Sequence, residues 1–293
     1  MLVRFFFFLL LLCSCSCFAE QKRYVVEARI AENHYISELL LLILEASKAP
    51  DEVIDLRYNR LYDLHLTQTR RIAEFSRQKA NAVMWTVTSK EREDFLRAIR
   101  VPIYKGLFGY RCLVIRKEDQ EKFAQIKTRA QLAKLMAGQG EQWPDTNVLR
   151  ANDFPVMTGG LVKSLYQMLA AKRFDYFPRG LVEVEPELDL IKKYNLMIEP
   201  NLVLQYPNPL YFFVQKDNIE LAGRLERGWK IILSNGSFDK LFYRQERVKK
   251  ALNEVIVHPK YIARMHAPEF PEGSPMDSSQ YFHSQFEVEN LPQ

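Results

Sequence analysis

Cysteine and histidine are the residue types of this chain that most directly suggest chemistry. Four cysteines could form two disulfide bonds, but three of them lie within the first 17 residues. The remaining Cys112 lies in the apolar stretch Cys-Leu-Val-Ile, which favours a buried, unreactive thiol. The five histidines have no spacing typical of metal ligands. The sequence therefore predicts no disulfide, no metal centre and no cofactor.

Glycine spacing gives one further hint of a bound cofactor. Gly138-Gln139-Gly140 begins like a dinucleotide-binding loop, but Trp143 stands where the third glycine would be. The phosphate-binding P-loop, H-E-x-x-H and G-x-S-x-G patterns do not occur either. We interpret residues 138–145 as a loop. Carboxylates are abundant, so a pair suited to acid–base catalysis stays open.

The composition is that of a globular protein. Of the 293 residues, 47% are hydrophobic and 26% charged, and only 11 are glycine. The net charge of +5 is mild, and the basic stretch Arg70–Lys79 is typical of a solvated helix face. We therefore expect no nucleic-acid partner.

Residues 1–19 have the pattern of an export signal. Arg4 precedes an apolar core, and the small residues Cys17 and Ala19 allow cleavage before Glu20. The apolar run is shorter than the ~20 residues that span a bilayer. The segment from Leu12 to Cys15 also resembles a lipobox, which would attach a lipid to Cys15. We expect a cleaved, periplasmic protein, with the lipid-anchored form as the alternative.

The following chain alternates between stretches typical of strands and of helices. This order favours a parallel α/β sheet. The first predicted strands are Tyr24–Ile30, Val53–Tyr58 and Ala82–Val87, and the predicted helices between them are Tyr35–Ser47 and Leu66–Lys79. Further along, Phe174–Phe177 is predicted to be a short strand that ends at Pro178-Arg179-Gly180, and the segment from 267 to 293 to be mostly irregular.

Several motifs resemble one known family in their order and spacing. They are the segment from Gln78 to Arg92, the step Val101-Pro102-Ile103-Tyr104, the strand Lys172-Arg173-Phe174-Asp175 and the late helix from Leu221 to Ile232. Together they resemble the type II periplasmic solute-binding proteins, and most of all the amino-acid-binding receptors of ABC transporters (family 3-like). The resemblance implies an α/β fold of two lobes, a hinge of two crossing strands and a ligand cleft between the lobes.

The resemblance also implies a division of the chain. Residues 20–108 and 208–293 would form lobe one, and residues 109–207 would form lobe two. The hinge strands would pass near Tyr110-Arg111 and Gln205-Tyr206. Ligands of open α/β sheets bind at the carboxyl ends of strands, and closure of two such lobes would hide the ligand from water.

In lobe one, the resemblance assigns ligand contacts to four residues. Arg92 matches the arginine that clamps a ligand carboxylate, since a guanidinium can bind a carboxylate through two hydrogen bonds. The alternative for Arg92 is a surface residue at a helix start. Trp85, Thr88 and Tyr35 would contribute to the same side of the cleft, although Trp85 is equally typical of a core strand.

In lobe two, the resemblance is looser. The usual hydroxyl-rich turn is replaced by bulkier residues, and no aspartate stands near Gly180, where the family binds an amino group. Arg111 could contact ligand or form a salt bridge near the hinge. If Arg179 and Arg92 both face the cleft, the site is cationic and suits an anion. The candidate ligand contacts in this lobe are Arg111, Gln139, Trp143, Asp145, Asp175 and Arg179.

We therefore expect an exported, monomeric, non-enzymatic protein that captures a small polar or anionic solute, amino acids included. Its partner would be an ABC permease or a membrane sensor kinase. An enzyme similar to cyclohexadienyl dehydratase is the alternative on the same scaffold, with Asp145, Asp175 or Glu183 as the acidic catalyst.

Overall fold

The computed structural model describes residues 22–28, 35–58, 68–77, 81–256, 261–267 and 271. The predicted export signal 1–19, with Ala19 and Cys15, lies outside the described residues, as does most of the segment from 267 to 293. Within the described residues, none of the helices combines the length and the apolar character needed to cross a bilayer.

The first of two sheets contains five strands in the order β2-β1-β3-β10-β4. β1, β2 and β3 run parallel, whereas β10 is antiparallel to both β3 and β4. The predicted parallel sheet is therefore a mixed one. The strands are β1 (Lys22–Ala28), β2 (Glu52–Tyr58), β3 (Ala82–Val87), β4 (Leu96–Ile99) and β10 (Leu210–Gln215).

The second sheet contains six strands in the order β11-β9-β5-β8-β6-β7. β5 is antiparallel to its neighbours β8 and β9, and β6 runs parallel to β7 and β8. The strands are β5 (Tyr110–Arg116), β6 (Ala137–Gly140), β7 (Val156–Gly159), β8 (Tyr176–Gly180), β9 (Leu196–Gln205) and β11 (Tyr261–Arg264).

Eleven α-helices in the described part of the chain accompany the two sheets. They are α1 (Tyr35–Ala46), α2 (Gln68–Ser76), α3 (Lys90–Phe95), α4 (Gln120–Ala124), α5 (Arg129–Leu132), α6 (Pro144–Ala151), α7 (Val162–Ala170), α8 (Leu188–Lys193), α9 (Ile219–Ser234), α10 (Ser237–Arg244) and α11 (Glu246–Ile256).

Each sheet is buried on both faces, which is why its central strands are almost continuously apolar. On β10, Phe212 packs into the core beneath α1 and α9, while Phe213 packs into a second core beneath α2. On β5, Cys112 and Leu113 likewise enter two different cores. Cys112 is buried, as predicted. We call the first sheet with its helices the first lobe, and the second sheet with its helices the second lobe.

The chain passes between the lobes more than twice. It crosses between β4 and β5 and returns between β9 and β10, and the first residue of β5, Tyr110, pairs with Gln205 at the end of β9. The lobe boundaries at 108 and 208 stay a prediction. The assignment of all residues after 208 to lobe one is wrong for β11, because this strand pairs in parallel with β9 of the second sheet.

The predicted loop at residues 138–145 is wrong in both of its halves. Gly138 and Gly140 lie in β6, and Pro144 begins α6. A Cβ atom on Gly138 would lie 2.1 Å from the ring of Phe174, and one on Gly140 would lie 2.3 Å from the ring of Trp143. These glycines therefore allow aromatic rings to pack against a strand.

The prediction for the next strand needs a similar correction. Pro178, Arg179 and Gly180 do not end the strand but are its last three residues, since β8 pairs with β5 up to Gly180.

Candidate functional site

A cavity of about 900 Å³ lies where the two lobes face each other. The first lobe contributes residues of α2 and of the segment from Ser89 to Phe95, and the second lobe contributes Glu141 to Asn147. β3 ends at Val87 and β6 ends at Gly140, so each lobe presents the carboxyl end of a strand and the helix that follows it. This is the position at which open α/β sheets bind ligands, and the volume suits a small molecule.

The turn after β3 positions Arg92 in this cavity. Ser89 caps α3, and its hydroxyl accepts a hydrogen bond from the backbone N–H of Arg92 at 3.2 Å. This is the usual geometry of a serine cap, in which the third helical residue supplies the donor. The cap holds Arg92 one turn beyond the strand end, with its side chain 94% buried against the end of β3 (6% exposed).

Among the described residues, all acceptors of the Arg92 guanidinium are neutral. Nη1 donates to Thr86 Oγ1 at 2.8 Å and to the carbonyl of Val87 at 2.6 Å. Nη2 donates to Gln68 Oε1 at 2.7 Å and, across the cleft, to the carbonyl of Gln142 at 3.4 Å. No carboxylate of the described residues lies within 4.0 Å of Arg92, and burial lowers its pKa to about 10. A buried cation without an ion-pair partner attracts an anion.

The other buried arginines of the described chain are all paired with carboxylates. Their partners lie within 4.0 Å: Asp145 and Glu183 for Arg111, Asp119 and Asp175 for Arg116, Glu183 and Glu187 for Arg179, and Glu52 for Arg224.

Arg111 and Asp145 form the centre of a buried cluster beside the hinge. Arg111 contacts Asp145 Oδ1 and Glu183 Oε2, each at 2.8 Å. Asp145 Oδ1 also accepts from the hydroxyl of Tyr206 at 2.6 Å and from the amide of Asn208 at 3.0 Å. Burial raises the pKa of Tyr206 well above its usual value, so it stays a donor. The structure thus gives Arg111 the salt bridge that we considered as its alternative role.

Arg179 is turned away from the cavity. Its Nε and Nη2 donate to the two carboxylate oxygens of Glu187 at 2.8 and 2.7 Å. Its guanidinium lies 5.1 Å from the ring centroid of Trp143, and that ring lines the cavity. Arg179 is therefore separated from the cavity by Trp143, and the described lining of the cavity does not combine Arg92 with Arg179.

Thr88 and Trp85, which were predicted on the same side of the cleft as Arg92, are not part of the cavity lining. Thr88 donates its hydroxyl to Glu93 Oε1 at 2.6 Å. Trp85 is half-buried and packs against the core of the first lobe. Of the predicted contacts, Arg92 and Trp143 are the two that the cavity lining contains.

The remaining predicted contacts are located elsewhere. Tyr35 is in the core of the first lobe and donates its hydroxyl to the carbonyl of Ile103 at 2.7 Å. Gln139 is buried within β6. Asp175 forms an ion pair with Lys122 at 2.9 Å on the second lobe. The structure does not bring these three side chains to the cavity.

Sequence reasoning missed several residues of the cavity lining. Ile72 and Phe95 provide apolar surface, and Glu141 and Gln142 extend the rim from the second lobe. Ile72 could have been found from its place with Phe75 on the apolar face of a short helix that is otherwise mostly polar, since such a face must pack against another part of the protein. Phe95 is 58% exposed and ends a charged helix, so the sequence around it carries no such signal.

No protein-family model matches the chain, and no curated protein matches it in sequence. Solved structures do resemble it in three dimensions. An ancestral arginine-binding protein bound to arginine superimposes with a TM-score of 0.54 at 14% identity, over 77% of this chain and 98% of that one. A Salmonella typhimurium periplasmic binding protein with high arginine specificity gives 0.52 at 12% identity, over 76% and 98%.

A sensor domain of a histidine kinase, described as similar to periplasmic binding proteins, also resembles the chain. Its TM-score is 0.50 at 14% identity, over 77% of this chain and 96% of that one. These structures show that the chain has the two-lobed fold of periplasmic binding proteins, which confirms the fold predicted from the sequence motifs.

Proposed function

We propose that this protein is exported to the periplasm and captures a small anionic or polar organic solute between its lobes, for ABC transport or for sensing. Arg92 is the observation that carries the proposal. It is a buried arginine that has no carboxylate of the described residues within 4.0 Å, and it lies at the end of β3, beside the cavity. A ligand carboxylate would compensate this charge and could bind the guanidinium through charge-assisted hydrogen bonds.

Both lobes take part in the proposed site, and this supports capture by closure. Arg92 on the first lobe donates to the carbonyl of Gln142 on the second, so the two sides already meet beside the candidate anion site. Closure removes water from the ligand and strengthens each polar contact to it. A ligand held by both lobes would therefore stabilise the closed form, which a permease or a sensor could recognise.

Transport and sensing are both supported by a structural neighbour. An amino acid ABC transporter substrate-binding protein from Streptococcus pneumoniae, which also resembles the chain, favours delivery of a solute to an ABC permease. The histidine kinase domain favours a membrane sensor as partner. In either role we propose a monomer that binds without turnover. The three carboxylates considered for catalysis, Asp145, Asp175 and Glu183, do not belong to the described lining of the cavity.

The direct test is to identify the bound solute and to replace Arg92 by an uncharged residue. The protein is purified without denaturation, the bound small molecules are released and identified by mass spectrometry, and their affinity is measured by calorimetry. Arg92→Met should weaken binding of an anionic solute at least about tenfold, which corresponds to ~1.4 kcal/mol. Arg70→Ala removes an exposed arginine of α2 that does not line the cavity, and should leave the affinity unchanged.

Two results would contradict this proposal. One is a bound solute without any anionic or polar group, and the other is an affinity for the released solute that Arg92→Met leaves unchanged. The choice between transport and sensing needs a separate experiment, a pull-down from membranes with the tagged protein. A permease subunit among the captured proteins supports transport, and a histidine kinase supports sensing.

A further inference from the structure

The lining of the cavity combines the buried charge of Arg92 with apolar side chains. Ile72, Phe95 and Trp143 line it together with Ala73 and Pro144. Phe95 leaves 58% of its surface exposed, a large fraction for a phenylalanine beside a concave site. Exposed apolar surface in a cleft gains free energy when an apolar ligand group covers it.

The aromatic side of the cavity is rigid before any ligand arrives. The indole of Trp143 stacks on Phe177 with ring centroids 6.3 Å apart, and the guanidinium of Arg179 lies 5.1 Å from its centroid. Glu187 in turn holds Arg179 through two hydrogen bonds. A side chain fixed in this way loses little conformational entropy on binding, so it favours a flat or bulky apolar group.

Recognition of an ammonium group would need a carboxylate inside the cavity. The acidic residues among the described lining are Glu91 and Glu141, and both are exposed to solvent. An exposed carboxylate contributes little to an ion pair. The buried carboxylate of Asp145 comes two residues after Trp143, but Asp145 does not belong to the described lining, and its Oδ1 already binds Arg111, Tyr206 and Asn208.

An ammonium group would also meet charges of its own sign. Arg77, Lys90 and Arg92 all line the cavity, and Arg92 is the buried one of the three. Moving a ligand ammonium out of water costs free energy unless a carboxylate pairs with it. The ligand carboxylate is thus attracted by this site, and a neighbouring ammonium is repelled.

We infer that the preferred ligand is a monocarboxylate with an apolar body and no α-amino group. Its carboxylate binds Arg92, and its apolar body packs between Phe95 and Trp143. This inference rests on the proposed function, since it names the class of solute that the same site captures. The inference also distinguishes this protein from the arginine-binding proteins that share its fold. The fold and a buried arginine that binds a carboxylate are compatible with ligands that have an α-amino group and with ligands that lack it.

Matched probes test the inference by calorimetry. 3-Phenylpropionate and L-phenylalanine differ by the α-amino group alone, as do 4-methylpentanoate and L-leucine, and 3-phenylpropan-1-ol lacks the carboxylate. We expect each deamino acid to bind at least about tenfold more tightly than its amino acid, and the alcohol to bind more weakly than either acid.

Phe95→Ala should weaken the binding of 3-phenylpropionate about fivefold, since it removes apolar contact area. Ile219→Ala is the control, because Ile219 is 67% exposed on α9 and does not line the cavity.

The outcomes distinguish this inference from the proposed function. If the amino acids bind as tightly as the deamino acids or more tightly, and Arg92→Met abolishes that binding, the inference fails while solute capture by Arg92 stands. Failure of both deamino acids to bind overturns the inference as well. If the alcohol binds as tightly as the acid and Arg92→Met changes neither affinity, the role of Arg92 and the inference fail together.

Discussion

Arg179 lies against the ring of Trp143, and Arg92 lines the cavity together with Trp143, but the two arginines have opposite environments. Arg179, 5% exposed, donates to both carboxylate oxygens of Glu187 behind Trp143. Arg92, 6% exposed, donates to two carbonyls, a hydroxyl and an amide oxygen on the cavity side. The two arginines are buried to nearly the same extent, but the acceptors of Arg179 are charged and those of Arg92 are neutral.

The comparison separates two uses of a buried arginine. A guanidinium with a bidentate carboxylate partner is neutralised within the protein, and its contribution is to hold neighbouring groups in place. A guanidinium with neutral acceptors keeps its net charge, which favours an anion from outside. Five mutations test this distinction: four with decreasing expected effects on the free energy of unfolding, and Arg179→Met as the matched comparison for the last of them.

Glu187→Ala is expected to have the largest effect. It leaves Arg179 buried with Glu183 as its remaining carboxylate, at 3.7 Å, and it removes the acceptor of the Tyr166 hydroxyl. Loss of one partner of a buried ion pair costs about 3–5 kcal/mol, so the free energy of unfolding should fall by about that amount in urea denaturation. Glu118→Ala is the control, because its pair with Lys172 is exposed. Similar losses in the two variants would show that Arg179 needs no partner.

Glu52 is the carboxylate partner of the buried Arg224, and it tests the comparison through the pH dependence of the free energy of unfolding. Its hydrogen bonds with Arg224, together with one from the backbone of Ala49, lower its pKa to about 2. A carboxyl group whose pKa is lowered by folding stabilises the protein above its usual pKa, and this contribution is lost as the pH falls towards the lowered value. Glu52→Gln should therefore lower the free energy of unfolding by about 1–2 kcal/mol at neutral pH, and by progressively less in acid.

Urea denaturation of both proteins from neutral pH to about pH 3 measures this difference. Glu45→Gln is the control, since Glu45 pairs with Lys48 on the surface. A difference between wild type and Glu52→Gln that stays constant over this range would contradict the assigned role of the Arg224 pair.

Asp175→Asn should have a smaller effect, and it tests a residue that sequence reasoning placed among the ligand contacts. Asp175 pairs with Lys122, whose side chain is 46% exposed, and accepts from the backbone N–H of Met136 at 2.8 Å. An asparagine keeps an acceptor for that N–H. The change removes the partly exposed pair with Lys122 and a longer contact of 3.8 Å with Arg116, which keeps Asp119 as its partner, so we expect a loss of about 1 kcal/mol or less. Solute affinity should not change. If calorimetry shows that Asp175→Asn binds the solute more weakly, Asp175 is a ligand-binding residue after all.

The sequence predicted the helices and strands better than it predicted which charged side chains form ion pairs. The strand at 82–87 and the helix from Tyr35 were predicted because their apolar patterns are local. Arg92 was predicted through a motif that ends at that residue. The pairing of Arg179 with Glu187 joins a strand to the start of α8, and that of Arg111 with Asp145 joins β5 to α6. Such contacts depend on how distant elements pack, which no local pattern contains.

Arg92→Met should have the smallest effect on stability, although it is the change that removes the proposed anion site. Methionine has a similar length and no charge, so the variant loses hydrogen bonds to Thr86, Val87 and Gln68 but no longer buries a cation. Replacement of a buried charge by an apolar side chain is often neutral or stabilising. We expect the free energy of unfolding, measured by urea denaturation without solute, to change by less than about 1 kcal/mol.

Arg179→Met is the matched comparison, because it removes an equally buried arginine and leaves Glu187 without its cation. That variant should lose about 3 kcal/mol or more, so the two methionine substitutions differ in stability although the residues differ little in burial. If Arg92→Met is as destabilising as Arg179→Met, then Arg92 is a structural residue whose neutral acceptors satisfy it. Its charge would then be no reason for an anion to bind. If only Arg179→Met destabilises, a buried arginine with neutral acceptors is distinguished from a paired one by stability alone, before any ligand is known.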